Sequence, residues 1–380
     1  MRICFFADGR YVHTWRWMRF FTGSGHEAHV ISFAPLEPKH VDAIEEAGGK
    51  LHGVIGGFHL KRFWVTARDL WKLKSALRRE RIDVLHCHFL GANAWYAALS
   101  GFHPLVITIM GGDVRGKDWK PGDDLRERWL TPFALRNADL ITCWSTQLMQ
   151  VARRYCRPEK RVEVIHGGVD LNRFNPGDRP QYLLKRWNLP QNARVALSPR
   201  LMRPLYNLDK IAIAAGEVCK KNPYAYFLFA HLNEAKDESY EAKVHDLIRE
   251  RGASDRVRFI GPIPHDEMAD HYRLADVTVS IPGTDGTPMT VLESMACGTP
   301  VVVSDIPDYD PHYIESGKTV LSVRPRDTTG LAEAILRLIE DSDLANRLAA
   351  EAGNRVRMTG SYEAQMARME RLYLSLVNDA

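Results

Sequence analysis

The sequence predicts a two-domain α/β protein built on parallel, doubly wound sheets, and three observations carry that expectation. Short apolar runs rich in β-branched residues alternate with amphipathic stretches along both halves. At 380 residues the chain is longer than one hydrophobic core supports. The stretch HGGVDLNRFNPGDRPQ, residues 166–181, is dense in Gly, Pro, Asp and Asn and separates the two series as a linker or hinge does.

In order, RICFFA, HEAHVISFA, IDVLHCHF, LVITIM, DLITCW and VEVIHGGVD read as strands of the first domain. RVALSP, AYFLFA, VRFIG, ADVTVSI and PVVVSD read as strands of the second. Helical stretches between them make βαβ units, hence two Rossmann-like domains, over 1–175 and 176–360, with a cleft between them. The last segment, 361–380, places Met366, Met369, Leu372, Tyr373 and Leu376 on one helical face, which needs an apolar surface to lie on.

Composition excludes several classes. With 45% hydrophobic and 26% charged residues the chain is an ordinary folded protein, and no apolar run approaches the ~20 residues needed to span a bilayer. The start, MRICFFADG, passes directly into a strand without the pattern of an export signal, so a cytoplasmic protein is expected. Six scattered cysteines lack the paired spacing of a zinc or redox site and read as reduced thiols. Charge is asymmetric: residues 1–175 hold 26 Lys+Arg against 18 Asp+Glu, or +8, and the remainder 25 against 29, or −4.

The stretch PGTDGTPMTVLESMACGTPVVVSD, residues 282–305, carries the most chemistry. Thr287 suits an N-cap and Pro288 the first helical position, while Gly298 and Pro300 supply the stop before a buried strand. A helix N-terminus offers unpaired amides and partial positive charge to an anion, and Gly283 and Gly286 let a ligand approach the backbone. Asp285 before that helix and Glu293 within it are hydroxyl acceptors beside the anion site, and polyol plus phosphate describes a sugar nucleotide. On the residues alone the plainer reading leads, with Asp285 a turn residue and Glu293 a solvated helix residue. The apolar surroundings in MTVLESMAC weigh against the second, because a buried carboxylate needs a partner.

DGTPMTVLESMACGTPVVVSD resembles the signature of the family-four retaining glycosyltransferases of the GT-B fold: an acid, seven residues, then Glu, a small-residue helix and Gly-x-Pro-Val. VIHGGVDLNRFNP, SPRLMRP and VRFIGPIPHDEMADHYRLADVTVSIP follow in that family's order, so the resemblance covers essentially the whole chain and is more specific in its second half. It implies a GT-B enzyme that moves a sugar from a nucleoside diphosphate donor, such as a UDP- or GDP-sugar, to an acceptor hydroxyl with retention and without a metal or other cofactor. It also implies that the terminal helix crosses back to the N-terminal domain.

Residue by residue, the resemblance makes Glu293 the contact to the ribose hydroxyls and Asp285 the holder of the sugar hydroxyls. Asp285 stands where the family more often has Glu, which shortens its reach by about 1.5 Å. The amides of Gly286, Thr287, Met289 and Thr290 line the sugar and phosphate site. Arg200 grips the diphosphate through paired donors. The lysine usual five positions on is Leu205 here, and Arg203 is either its substitute or an exposed turn residue. The backbone from Gly261 to Ile263 contacts the base, or is simply a tight turn.

In the first half, Gly9 follows the first strand, where this fold brings a glycine loop up to the donor phosphate; the usual double glycine is missing. Asp8, His13 and Arg16 are candidate acceptor contacts or local structure. Asp113, behind two glycines in TIMGGDV, lies at a strand's carboxyl end and is a candidate contact to the transferring sugar or the acceptor, and Met110 stands near where relatives carry a histidine. His86 and His88 share a strand face, but without a third ligand they read as satisfied histidines at a sheet end and no metal is expected. Residues 59–81, with eight Lys/Arg against two acids and with Trp64 and Trp71 interleaved, are either a solvated face or a surface for anionic lipid at the inner membrane. No nucleic-acid module accompanies the charge. Two rival readings remain: a sugar-nucleotide epimerase on the same fold, and a non-catalytic nucleotide-sugar binder.

Overall fold

The computed structural model describes residues 1–56, 62–111, 125–157, 159–230 and 237–379. The chain divides into two units, Met1–Gly167 with Glu363–Ala380, and Gly168–Tyr362. In the first, strands β1 (Arg2–Ala7), β2 (Glu27–Ser32), β3 (Gly49–Val54), β4 (Val84–His88), β5 (Leu105–Ile109), β6 (Leu140–Cys143) and β7 (Arg161–Val164) form one parallel sheet in the order β3-β2-β1-β4-β5-β6-β7. In the second, β8 (Arg194–Ser198), β9 (Ala225–Ala230), β10 (Val257–Ile260), β11 (Val277–Ser280), β12 (Val301–Ser304) and β13 (Leu321–Val323) form another, in the order β10-β9-β8-β11-β12-β13. Strand order reverses beside β1 in one sheet and beside β8 in the other, and the carboxyl ends flanking such a reversal are where open α/β sheets bind ligands.

The strands read from sequence are all present, including the edges β7 and β10, and the two that were missed are the other two edges, β3, which holds two glycines, and β13, which has three residues. The residues of these two are largely half-exposed and lack the continuous apolar signal of the centre. In the second unit the core gathers Leu208, Ile211, Phe227, Phe229, Val279 and Ile335. Each such side chain contributes about 1.5–3 kcal/mol through removal from water.

The boundary read near residue 175 falls earlier, at Gly167/Gly168. Residues 168–175 are structured within the second unit: Val169 bridges Ser361, and Arg273 donates to the carbonyls of Arg173 and Asn175 at 2.9 Å each. Phe174 is 1% exposed. Gly168 takes φ +68°, and a Cβ there would lie 2.4 Å from the Tyr362 Cα, so only glycine passes. The terminal helix, Tyr362–Asn378, lies in the first unit over most of its length. It buries Met366, Met369, Leu372 and Tyr373 and ties itself down through His26–Glu370 at 2.6 Å and Arg368–Glu163 at 2.5 Å. Among the described residues no helix is long and apolar enough to cross a membrane.

Candidate functional site

The best-formed cluster lies at the carboxyl ends of β8 and β11. Arg200 follows β8, and Asp285 sits in the loop after β11, so the order reversal of the second sheet brings together residues 85 apart in sequence. The two loops are stapled: Gly283 N donates to Leu205 O at 2.8 Å, and Asn207, in the left-handed region at φ 52°, donates from Nδ2 to Ile281 O at 2.8 Å. Arg200 Nη2 donates to Asp285 Oδ2 at 2.5 Å and Nη1 to Thr290 Oγ1 at 3.0 Å. Its guanidinium lies 4.2 Å from the centre of the Tyr206 ring. The side chains are 9% and 21% exposed. Burial opposes the charge of Arg200, but the fields of Asp285, Tyr206 and Tyr309 and the hydrogen bond to Asp285 outweigh it and hold the arginine pKa above its ordinary value.

The helix runs Met289–Ala296. Pro288 is its N-cap, with extended ψ of 111°, and not its first helical residue as the sequence reading had it. The shift follows from Pro288 O, which accepts from both Val291 N and Leu292 N and so closes the first turn from outside the helix. The stop is as expected. Gly298, at φ +79°, donates to Met295 O and Thr299 N to Ser294 O, the paired bonds of a Schellman cap. The first amides, of Met289 and Thr290, have no intrahelical acceptor. Arg200 therefore stands at the amide end of a helix through Thr290, two positive features that together call for an anion.

Glu293 is 3% exposed on this nearly all-buried helix. His265 Nε2 lies 3.1 Å from its Oε1, and the Tyr272 hydroxyl donates to Oε2 at 3.3 Å. Burial, then the negative charge of Glu293, raises the Tyr272 pKa well above the usual phenol range, so that hydroxyl stays a donor. Nearby, Asp308 accepts from Thr284 at 2.9 Å through Oδ2, while its buried Oδ1 has no donor among the described residues.

The remaining candidates fall differently. Gly286 and Thr287 are buried beside Asp285, whose Oδ1 accepts from Gly286 N at 2.9 Å. Ile263 is buried and Gly261 exposed in the turn after β10. Arg203 is exposed at the start of a short 3-10 turn, and Leu205 is exposed. Gly9 is committed inside the first unit: its amide goes to Ser32 Oγ at 3.2 Å, its carbonyl to Trp15 at 2.7 Å, and a Cβ would strike Leu36 at 2.9 Å. These are local packing contacts within the first unit. Asp8, 2% exposed, is clasped by Arg10 at 2.9 and 2.7 Å. His13 packs edge-on against Trp144 at 4.9 Å, and Arg16 is half-buried on the same helix. Asp113 and residues 59–61 lie outside the described residues.

His86 and His88, the latter the last residue of β4, are both fully buried; His86 bonds Thr108 at 2.5 Å on one side and Tyr373 of the terminal helix on the other, while His88 Nε2 has no partner among the described residues. The group of possible metal ligands among the described residues is His29, His52 and Glu80. Its imidazoles are nearly coplanar, 12° apart, with Nδ1 of His29 and Nε2 of His52 aimed at one another at 2.8 Å. Their facing nitrogens form a hydrogen bond and do not converge on a common centre.

Sequence reading did not find Arg173, Tyr206, His265, Tyr272, Asp308 or Tyr309. The only signal available was that Glu293, amid apolar neighbours, needed a partner.

The family model described as Glycosyltransferase Family 4 matches residues 8–173, and that described as Glycosyl transferases group 1 matches residues 183–355. A D-inositol 3-phosphate glycosyltransferase of Frankia alni is 32% identical over 309 residues, 77% of this chain and 74% of the relative. The N-acetyl-alpha-D-glucosaminyl L-malate synthase of Bacillus anthracis is 22% identical over 81% of this chain and 78% of the relative. The solved structure of Anabaena Alr3699/HepE in complex with UDP shares the fold at a TM-score of 0.81 and 16% identity, covering 99% of this chain and all of that one. The chain belongs to the family-four glycosyltransferases of the GT-B fold.

Proposed function

We propose that the protein transfers a sugar from a nucleoside diphosphate-sugar, a UDP- or GDP-sugar, to an acceptor hydroxyl with retention at the anomeric carbon. One observation carries the reading: a buried guanidinium fixed at the amide end of the helix Met289–Ala296, with a carboxylate, Asp285, in the place an anion would take. Arg200 and the amides of Met289 and Thr290 hold the diphosphate. As the bond between the anomeric carbon and the phosphate oxygen breaks, negative charge grows on that oxygen, and these preoriented donors stabilise it. The acceptor oxygen bonds to the same face of the anomeric carbon and its proton passes to the departing phosphate oxygen. Glu293 takes the ribose hydroxyls; Asp285, released from Arg200 by the diphosphate, takes sugar hydroxyls, with Asp308 Oδ1 as a further acceptor. Gly286 and Thr287 line the sugar, and the turn Gly261–Ile263 meets the base. Asp113, Asp8, His13 and Arg16 remain the acceptor-side candidates.

The relatives' printed names pair two acceptor moieties with this family, an inositol 3-phosphate and a malate, both anionic and hydroxylated. The +8 charge of residues 1–175 suits such an acceptor. The helix Phe63–Arg79 turns Phe63, Trp64, Arg68, Trp71, Lys72 and Arg78 outward, which suits docking on an anionic membrane. Co-sedimentation with phosphatidylserine vesicles, lost in Trp64→Ala/Trp71→Ala, tests that part.

Transfer is tested by NMR of the product's anomeric centre after incubation with donor and candidate acceptors. An inverted product removes retention, an epimerised donor without acceptor supports the epimerase reading, and tight donor binding with no turnover supports a binding module.

A further inference from the structure

We propose that His265 is a positioning residue for Glu293, that Arg173 sets the tautomer through which it acts, and that this relay makes the site select ribonucleotides over 2′-deoxyribonucleotides. The inference rests on the reading of the pocket as a nucleoside diphosphate-sugar site. Arg173 Nη1 lies 3.2 Å from His265 Nδ1, and His265 Nε2 lies 3.1 Å from Glu293 Oε1. A guanidinium has no acceptor, so Nδ1 must accept, which puts the proton of the neutral ring on Nε2, aimed at the carboxylate. Phe174 stands edge-on to the imidazole at 5.3 Å and fixes its plane.

The relay is anchored at its far end. Arg173 O accepts from Arg273 Nη2 and Asn175 O from Arg273 Nε, at 2.9 Å each, while Arg273 Nη1 is held by Asp270 at 2.9 Å. On the other side of the carboxylate, the Tyr272 hydroxyl donates to Oε2 at 3.3 Å. Each oxygen of Glu293 thus has one protein donor, and about half of its four lone-pair sites are left for hydroxyls. A vicinal diol supplies two donors to one carboxylate, but only if that carboxylate keeps its plane. Without His265 a buried charge loses a donor and its terminal torsion is released. A site built to hydrogen-bond a hydroxyl rejects the analogue that lacks it, because its polar group is then left unmet.

The test is calorimetric titration of the full chain with UDP, GDP and ADP, then with the 2′-deoxy form of whichever binds. Wild type is expected to favour the ribo form by about tenfold to a hundredfold. His265→Ala should weaken ribo binding and leave deoxy binding nearly unchanged, closing the ratio to within about twofold. His265→Gln, whose amide also donates, should keep most of the ratio and serves if the alanine variant fails to fold. Arg173→Ala should fall between. Equal weakening of both forms by His265→Ala would show a merely structural role and overturn the inference, as would an unchanged ratio. A wild-type ratio near one, with nucleotide bound, overturns this inference alone. No binding of any nucleoside diphosphate by wild type removes the reading of the pocket and the inference with it.

Discussion

Each sheet reverses its strand order beside its first strand, and each puts an ion pair near that strand's carboxyl end, but the two pairs are built differently. After β1, Asp8 is clasped by Arg10, two residues on, and the arginine is nearly half-exposed. After β8, Arg200 is clasped by Asp285, 85 residues on, and both are largely buried. The first pair closes a turn and neutralises a buried acid locally. The second joins two strand ends and the start of a helix, so it fixes a cation where backbone amides converge. Equivalent topology therefore supplies two candidate places, and the second sets a buried guanidinium at the start of a helix.

The sharpest way to break this comparison is Arg200→Ala. Transfer should fall by about 10²- to 10³-fold, as when an oriented donor to a developing oxyanion is removed, with the circular dichroism spectrum unchanged. A drop as large for Arg10→Ala would erase the contrast.

A smaller effect is expected from the first unit's buried polar network, in which Tyr373, His86, Thr108 and Thr142 satisfy one another. His86→Ala leaves hydroxyls without partners and should cost about 2–3 kcal/mol of stability in urea unfolding, with nucleotide affinity untouched.

The neighbouring His88 predicts a pH dependence. Burial pushes its pKa down from the ordinary 6.5 to about 3, so the unfolded chain binds a proton that the folded chain refuses. Stability from this group is complete above pH 6.5 and is lost as pH falls from there toward 3, at up to about 1.4 kcal/mol per pH unit. Melting temperatures across that window should show a shallower fall for His88→Gln. The smallest effect is that of Asp8→Asn, about 1 kcal/mol or less because Arg10 is solvated, again with no change in nucleotide affinity.

Central strands, the Schellman stop at Gly298 and the need of Glu293 for a partner were legible in the sequence, because each depends on neighbours a few residues away. The edge strands β3 and β13 were not, since β3 is interrupted by Gly49 and Gly53 and β13 is three residues long, whereas the edges β7 and β10 kept a readable apolar run. The residues around Glu293 escaped for another reason. His265 and Tyr272 stand 28 and 21 residues from it, and nothing local marks them as its donors. Gly9, a glycine after a first strand, has local contacts that were equally hidden, since its amide meets Ser32 and its α-carbon packs under Leu36. The segment 168–175 has the composition of a linker but is pinned by Arg273, a contact that composition cannot reveal.

The most direct test of the central claim is calorimetric titration of the full wild-type chain and of Arg200→Ala with UDP, GDP and ADP. The account predicts that one of these binds the wild type in the micromolar range and that the substitution weakens it by tenfold or more, the loss of a charged hydrogen-bond partner. Binding of equal strength to both proteins, or none to the wild type, would contradict it.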